Sequence, residues 1–223
     1  MMRPYVFINS AMSADGKISS FLRRQVRISG SEDLLRVDRL RAESDAVMVG
    51  VGTVIADDPT LRVKSEALRS WRLERGVPEN PLRIVADSRA RTPPEARVLG
   101  PGCIVAVSRY APEDRLKELS ERCEIAICGE DRVDLRELLE MLYRRGVRRL
   151  MVEGGGTLNW SLIEQGLVDE ICVFVGPMVI GGQDAPTLVD GRGFPENFQR
   201  LELESAERID DGLLLKWRVV RSA

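Results

Sequence analysis

Apolar residues along this chain fall into short runs separated by polar stretches that carry a helical period. Tyr5 to Asn9, Ala46 to Gly50, Leu82 to Ala86, Cys103 to Val107, Cys123 to Cys128 and Arg149 to Glu153 read as strands. Between the last two, Leu135, Leu138, Leu139 and Leu142 recur at i, i+3, i+4 and i+7, and Gly146 stops that helix just past Arg144 and Arg145. An earlier helix is expected to begin near Ser29 to Glu32, where S-x-x-E resembles a capping box. It runs through Leu34, Leu35, Val37 and Leu40 and ends around Ala42 to Ser44. Such alternation predicts an α/β fold with a mostly parallel central sheet and helices on both faces. After Leu167 the pattern changes: Ile171 to Val175, Leu201 to Glu207 and Leu213 to Val220 follow one another without helices. Asp210-Asp211-Gly212 is a hairpin signal, so the sheet is expected to end in an antiparallel hairpin. Residues 64–81, crowded with charge around Trp71, read as a solvated connection holding a helical turn. No Pro/Gly/Ser-rich linker divides the chain, and residues 1–223 are read as one domain.

Composition narrows the function classes. With 43% hydrophobic and 30% charged residues, the 223-residue chain is long enough for a sizeable core and unlike a disordered or fibrous sequence. Its 33 basic and 35 acidic residues form no long run of one sign, so neither nucleic acid nor a membrane surface is an expected partner, and small molecules are. The chain has no histidine, which removes Ser-His-Asp triads, Cys-His pairs and HExxH zinc sites together. Cys103, Cys123, Cys128 and Cys172 include no CxxC pair, so no metal site is expected and the four read as buried thiols of a reducing cytoplasm. The first twelve residues resemble neither a membrane span nor a signal peptide.

Chemistry then falls to loops at strand ends. The strongest signal is the stretch from Val152 to Trp160, in which a strand ends in Glu153, Gly154-Gly155-Gly156 turn the chain, and a helix follows. Glycines allow close backbone approach to an anion, and the helix start offers free N–H groups to a phosphate. It is neither GxGxxG nor a Walker A loop, and a tight packing turn explains the glycines equally well. Gly50-Val51-Gly52-Thr53 also follows a strand and leads by a short turn to Asp57-Asp58-Pro59. Asp87-Ser88-Arg89, with Arg91, places hydroxyl and guanidinium donors where a nucleotide ribose would be read, which favours NADP over NAD. A solvated arginine cluster is the plainer reading. In a parallel sheet, residues 53–57, 87–91 and 153–160 are expected to converge on one crevice. At the amino end, Asp15 and Lys17 sit in a polar turn after the first strand, facing a substrate or merely solvent. Arg41, Arg62 and Lys64 are further cations suited to a sugar phosphate.

Taken in order, MSADGK, RIS, LRAESDAVMVGVGTVIADDPTL, LRIVADSRAR and LMVEGGGTLNWSLIEQGLVDEI resemble the riboflavin-biosynthesis reductases. That family includes the reductase half of bacterial RibD and free-standing archaeal and fungal enzymes. The resemblance spans nearly the whole chain with its motifs in family order. It implies a dihydrofolate-reductase-like fold, a homodimer, NADPH, and reduction of the ribosylamino side chain of a pyrimidine 5′-phosphate to ribitylamino. Hydride would pass to C1′ of the ring-opened imine, with a proton delivered to nitrogen. On matching positions, Ala11, Thr53, Asp57, Ser88 and Gly155, Gly156, Thr157, Leu158, Asn159, Trp160 and Ser161 resemble cofactor contacts. Asp15, Arg41, Leu61, Lys64 and Glu153 resemble substrate contacts, and Asp15 and Glu153 are the candidates for positioning the substrate or moving its proton. Arg27 replaces the aromatic residue common before I-[ST] in relatives. The zinc deaminase fused to the bacterial enzymes cannot be assembled without histidine or CxxC. A stand-alone reductase fits the archaeal and fungal order, in which reduction precedes deamination, so the resemblance implies 2,5-diamino-6-ribosylamino-4(3H)-pyrimidinone 5′-phosphate as substrate, with its uracil analogue as the nearest alternative. A pterin reductase and a non-catalytic NADP-binding protein are the remaining ones.

Overall fold

The computed structural model describes residues 2–24 and 26–220. In chain order its elements are β1 (Tyr5–Ser13), α1 (Ser31–Ala42), β2 (Ala46–Gly50), α2 (Val51–Asp57), α3 (Glu66–Glu74), β3 (Leu82–Ala86), β4 (Cys103–Val107), α4 (Glu113–Ser120), β5 (Glu124–Ile127), α5 (Leu135–Arg144), β6 (Arg149–Val152), α6 (Gly156–Glu164), β7 (Glu170–Gly176), β8 (Leu201–Ile209) and β9 (Gly212–Val219). The sheet is mostly parallel and ends in an antiparallel hairpin, as the sequence predicts. The chain divides into two compact units: Asp38–Met151 with the residues before Tyr5, and Tyr5–Val37 with the residues from Val152 onward.

In the first unit the strands lie in the order β5-β4-β3-β2-β6. Strands β2 to β5 pair in parallel. Val47, Met48, Val49, Ile84, Val85, Ile104 and Val105 are inaccessible or nearly so, which is why these strands read as continuous apolar runs rather than alternating ones. The chain steps from β2 through β5 in one direction and then returns to β6 on the far side of β2. Helix α5 forms as its stripe predicts: Leu135, Leu138, Leu139 and Leu142 are buried, each worth about 1.5–3 kcal/mol of transfer free energy. The Asp134 carboxylate accepts the Arg136 and Glu137 N–H groups at 2.9 and 3.1 Å to cap its start. Its end falls before Gly146, at φ +91°.

Two stretches depart from the sequence expectation here. Residues 64–81 hold a nine-residue helix, α3, rather than a single turn. Ser65 caps it, and the buried Asp38 carboxylate accepts the N–H groups of Lys64 and Ser65 at 2.7 and 2.8 Å. The anchor is Arg72, 5% exposed, whose guanidinium donates to the carbonyls of Ala42, Ser44 and Pro78 at 2.6–2.8 Å. An arginine fills the place an apolar residue would mark, so hydropathy does not announce the helix. The expected short turn from Thr53 to Asp57 is likewise helical, as α2.

In the second unit β1 pairs β7 in parallel, from Phe7 opposite Glu170 to Ser13 opposite Gly176, and the order continues through β9 to β8. Strand β1 is longer than its apolar run, so Ala11 lies in a strand instead of in the polar turn expected for it. The turn at Asp210-Asp211 forms as expected, with Asp210 left-handed at φ +49°. Its carboxylate accepts the N–H groups of Glu32 and Asp33 at 3.1 and 2.9 Å, which fixes the start of α1 at Ser31. Those N–H donors, Asp33 first, hold the Asp210 carboxyl below its ordinary pKa. A Cβ on Gly30 would lie 2.3 Å from the Asp210 carboxyl carbon, so only glycine admits the carboxylate there.

Candidate functional site

The first unit gathers its candidates at the carboxyl ends of β2 and β3. Gly50 pairs with Ala86, so α2, carrying Thr53 and Asp57, and the segment Asp87-Ser88-Arg89 leave from adjacent strands at one rim, as expected. Ser88 is built into its surroundings. Its Oγ accepts the Val133 N–H at 3.0 Å, and its carbonyl accepts the N–H and the hydroxyl of Ser108 at 3.2 and 2.7 Å. Ser108 and Val133 thus position this site residue, and neither carries a sequence signal for it. The Ser88 hydroxyl hydrogen remains the group it can give to a ligand. Arg89 is exposed and donates through Nη1 to the Tyr110 carbonyl at 3.2 Å. Behind them Asp87 is buried, one carboxyl oxygen accepting the Thr92 N–H and hydroxyl at 2.7 and 2.8 Å and the other 3.9 Å from Arg91 Nε. Asp87 therefore shapes the loop through one oxygen, while its other oxygen is buried with no hydrogen-bond partner. Half-buried Asp57 has its carboxyl pKa pushed up by desolvation. Leu61 is buried, at φ +53°, a left-handed conformation unusual for leucine. Arg41 donates to the Arg62 carbonyl at 3.2 Å, and the Lys64 side chain is exposed.

The second unit holds the glycine turn. Gly154 is at φ +93°, a conformation that favours glycine, and α6 opens at Gly156 with no side chain capping it. A Cβ on Gly156 would lie 2.6 Å from both the Asp190 carboxylate and the Thr187 carbonyl. The packing explanation thus accounts for Gly156, while the uncapped helix start leaves the anion-binding one open. The side chains of Leu158, Asn159 and Trp160 face inward. Asn159 donates to the Leu188 carbonyl at 2.8 Å, its Oδ1 is buried with no hydrogen-bond partner, and Trp160 packs against Phe194 at 4.8 Å between ring centres. Thr157 is exposed and Ser161 donates to the Thr157 carbonyl at 2.9 Å. Glu153 is half-buried at the end of β6.

Asp15 and Lys17 meet the strap of residues 178–190, which no motif marks. The Asp15 carboxylate accepts the Ser13 hydroxyl and the N–H groups of Ile180 and Gly181, the latter two at 3.0 and 2.7 Å. These donors, Ser13 first, lower its pKa from 3.8 to about 2. Lys17 pairs with Thr187 in a β-bridge and donates from Nζ to the Ala185 carbonyl at 3.0 Å. Both residues tie the strap down, which the plain Asp-Gly turn reading does not anticipate.

Two cavities lie away from that rim. One of about 370 Å³ is lined by residues at the amino ends of β3, β4 and β5, the rim opposite Thr53 and Ser88, and another of about 450 Å³ flanks β5 and α5. Among the described residues no cluster of three or more Cys, Asp or Glu could hold a metal, and no helix is long and apolar enough to cross a membrane.

Comparison with known proteins agrees with this architecture. The chain is 56% identical over 222 residues to the 2,5-diamino-6-ribosylamino-4(3H)-pyrimidinone 5′-phosphate reductase of Archaeoglobus fulgidus, covering 99% of this chain and 100% of that protein. It is 47% identical to the reductase of the same name from Methanothermobacter thermautotrophicus, covering 98% and 99% of the two chains. Among solved structures, Acinetobacter baumannii RibD superposes with a TM-score of 0.78 at 24% identity, over 98% of this chain and 59% of that longer one, a likeness of fold. The RibD C-terminal domain model matches residues 4–215, and the chain belongs to that family.

Proposed function

We propose that this chain reduces 2,5-diamino-6-ribosylamino-4(3H)-pyrimidinone 5′-phosphate to its ribitylamino product in riboflavin biosynthesis, with NADPH as reductant. The observation that carries the reading is the 56% identity to the Archaeoglobus reductase along the full length of both chains. The residues present fit a phosphorylated dinucleotide. At the glycine turn, Gly155 leads into the amino end of α6, which no side chain caps and which offers the positive end of the helix dipole, with the Thr157 and Ser161 hydroxyls beside it. Leu158, Asn159 and Trp160 contribute through their main chain and by packing the helix. The orphaned Oδ1 of Asn159 marks a turn whose own polar groups are not all used internally. In the first unit, Ser88 and Arg89 supply a hydroxyl and a guanidinium suited to an adenosine 2′-phosphate. Thr53 and half-buried Asp57 suit ligand hydroxyls, and Ala11 offers the main chain of β1.

When bound, the cofactor supplies the hydride, for which the protein has no group of its own. The chain's residues hold, orient and handle protons. In the first unit Arg41 and Lys64 are assigned to the substrate phosphate and Leu61, its side chain inside, to shaping the neighbouring main chain; in the second, Lys17 is a substrate-side candidate beside the strap. Asp15, held ionised by three donors, is a weak proton donor at neutral pH and a strong anchor for the strap. Glu153 is left as the carboxyl candidate for moving the proton to the side-chain nitrogen. A homodimer forms part of the same proposal.

NADPH consumption by the purified chain, followed with the diamino substrate, its uracil analogue and dihydrofolate in parallel, tests the reading. The diamino compound is expected to turn over fastest, and Glu153→Gln to slow turnover in a folded protein. Preference for the uracil compound would move the enzyme to the other reduction, and turnover of dihydrofolate alone would make it a pterin reductase. NADPH binding without turnover of any substrate would leave a binding protein.

A further inference from the structure

Three side chains line up across the amino ends of β3, β4 and β5, on the rim opposite the one that carries Thr53 and Ser88. Arg83 pairs with Cys103 in the β3–β4 register. Ile104 pairs with Glu124 in the β4–β5 register, so one step back brings Cys103 beside Cys123. In-register neighbours of parallel strands project to the same face at about 4.8 Å strand spacing, inside the roughly 4.4–6.8 Å Cα separation that a disulfide spans. The register thus sets the Cys103 and Cys123 thiols side by side, and Cys123 donates to the Leu119 carbonyl at 3.3 Å. Cys103 is buried and Cys123 half-buried, and both line the open cavity of about 370 Å³.

The surroundings make the two sulfurs unequal. The neighbouring Cys103 thiol, with Arg122, lowers the Cys123 thiol pKa against the opposing effects of burial and Glu124, whereas the Cys123 neighbour and burial raise that of Cys103. Arg83 is 2% exposed, donates from Nη2 to the carbonyls of Gly100 and Pro101 at 3.1 and 2.5 Å, and keeps a buried Nε without a partner. A cation is thus fixed next to Cys103, where it favours a thiolate once Cys123 has reacted.

We propose that Cys103 and Cys123 are a thiol–disulfide exchange site that takes small disulfides from the cavity and closes into a reversible cross-strand disulfide. The Cys123 thiolate attacks one sulfur of a small disulfide, breaking its S–S bond and releasing one half as a thiolate that takes up a proton. Cys103 then gives its proton to solvent and attacks the Cys123 sulfur, expelling the second half as a thiolate. Two protein thiols are oxidised by loss of two electrons and two protons, and one small disulfide is reduced to two thiols.

The test uses the full chain incubated with oxidised glutathione, then alkylated and mapped by mass spectrometry without reduction. A linked pair of peptides carrying Cys103 and Cys123 is expected, with a net loss of about 2 Da and recovery of both thiols on reduction. Cys103→Ala is expected to stop at one glutathione on Cys123. In the unmutated chain, stable glutathione on Cys123 without closure, linkage through Cys128 or Cys172, or no reaction at either cysteine would each overturn the proposal.

Discussion

Asp15 shows how one side chain acquires a different duty from the one its motif suggests. Its folded pKa of about 2 lies below the unfolded 3.8, so the carboxylate contributes stability that is present above pH 3.8 and lost as pH falls toward about 2. The protection of the Ile180 and Gly181 amides, relative to their intrinsic exchange, is therefore expected to fall across that interval. In Asp15→Asn protection should be low already at neutral pH and show no such fall. Unchanged protection in the variant would show that the strap is held by something else. Ser88 makes the converse case: the sequence marks it as a ligand group, and the geometry leaves its hydroxyl hydrogen available while fixing the oxygen through Val133. Glycine residues were legible only by type. Gly154 is required by its backbone angle and Gly156 by the closeness of Asp190, and no local pattern separates those causes from phosphate binding.

Elements with an apolar signature were legible, and those held by charge were not. The leucine stripe of α5 and the continuous apolar strands of the first unit follow from burial alone. Helix α3 does not, because its buried anchor is a guanidinium, and α4 offers only Leu116 and Leu119 as apolar markers, with Leu119 alone buried. Burial lowers the Arg72 pKa, and three carbonyls repay the desolvation by accepting from it. Arg72→Ala is expected to cost about 2–4 kcal/mol by stranding buried acceptors. A shift of the urea midpoint checks this, and an unchanged midpoint would show that water replaces the guanidinium without loss. Arg72→Lys should recover only part of the loss, since one ammonium cannot reach three carbonyls with the guanidinium's fixed geometry.

At the scale of the whole molecule, the mostly parallel sheet and the final hairpin followed from where helices stop alternating with strands, and the family resemblance named the same fold; the order of the strands did not. Association is the property left to measurement. Strand β8 ends the sheet with Leu201 and Leu203 exposed, the kind of edge that natural proteins cover or pair. Light scattering is expected to give the mass of two chains, and a monomer across working concentrations would remove the homodimer from the proposal. The hairpin at Asp210 has a different implication, one of timing. Helix α1 receives its cap from a residue 177 positions downstream of Asp33, so a chain emerging from the ribosome carries that helix start unfinished until Asp210 has been made. Completion of the amino-terminal helix therefore reports that the last strand pair has arrived.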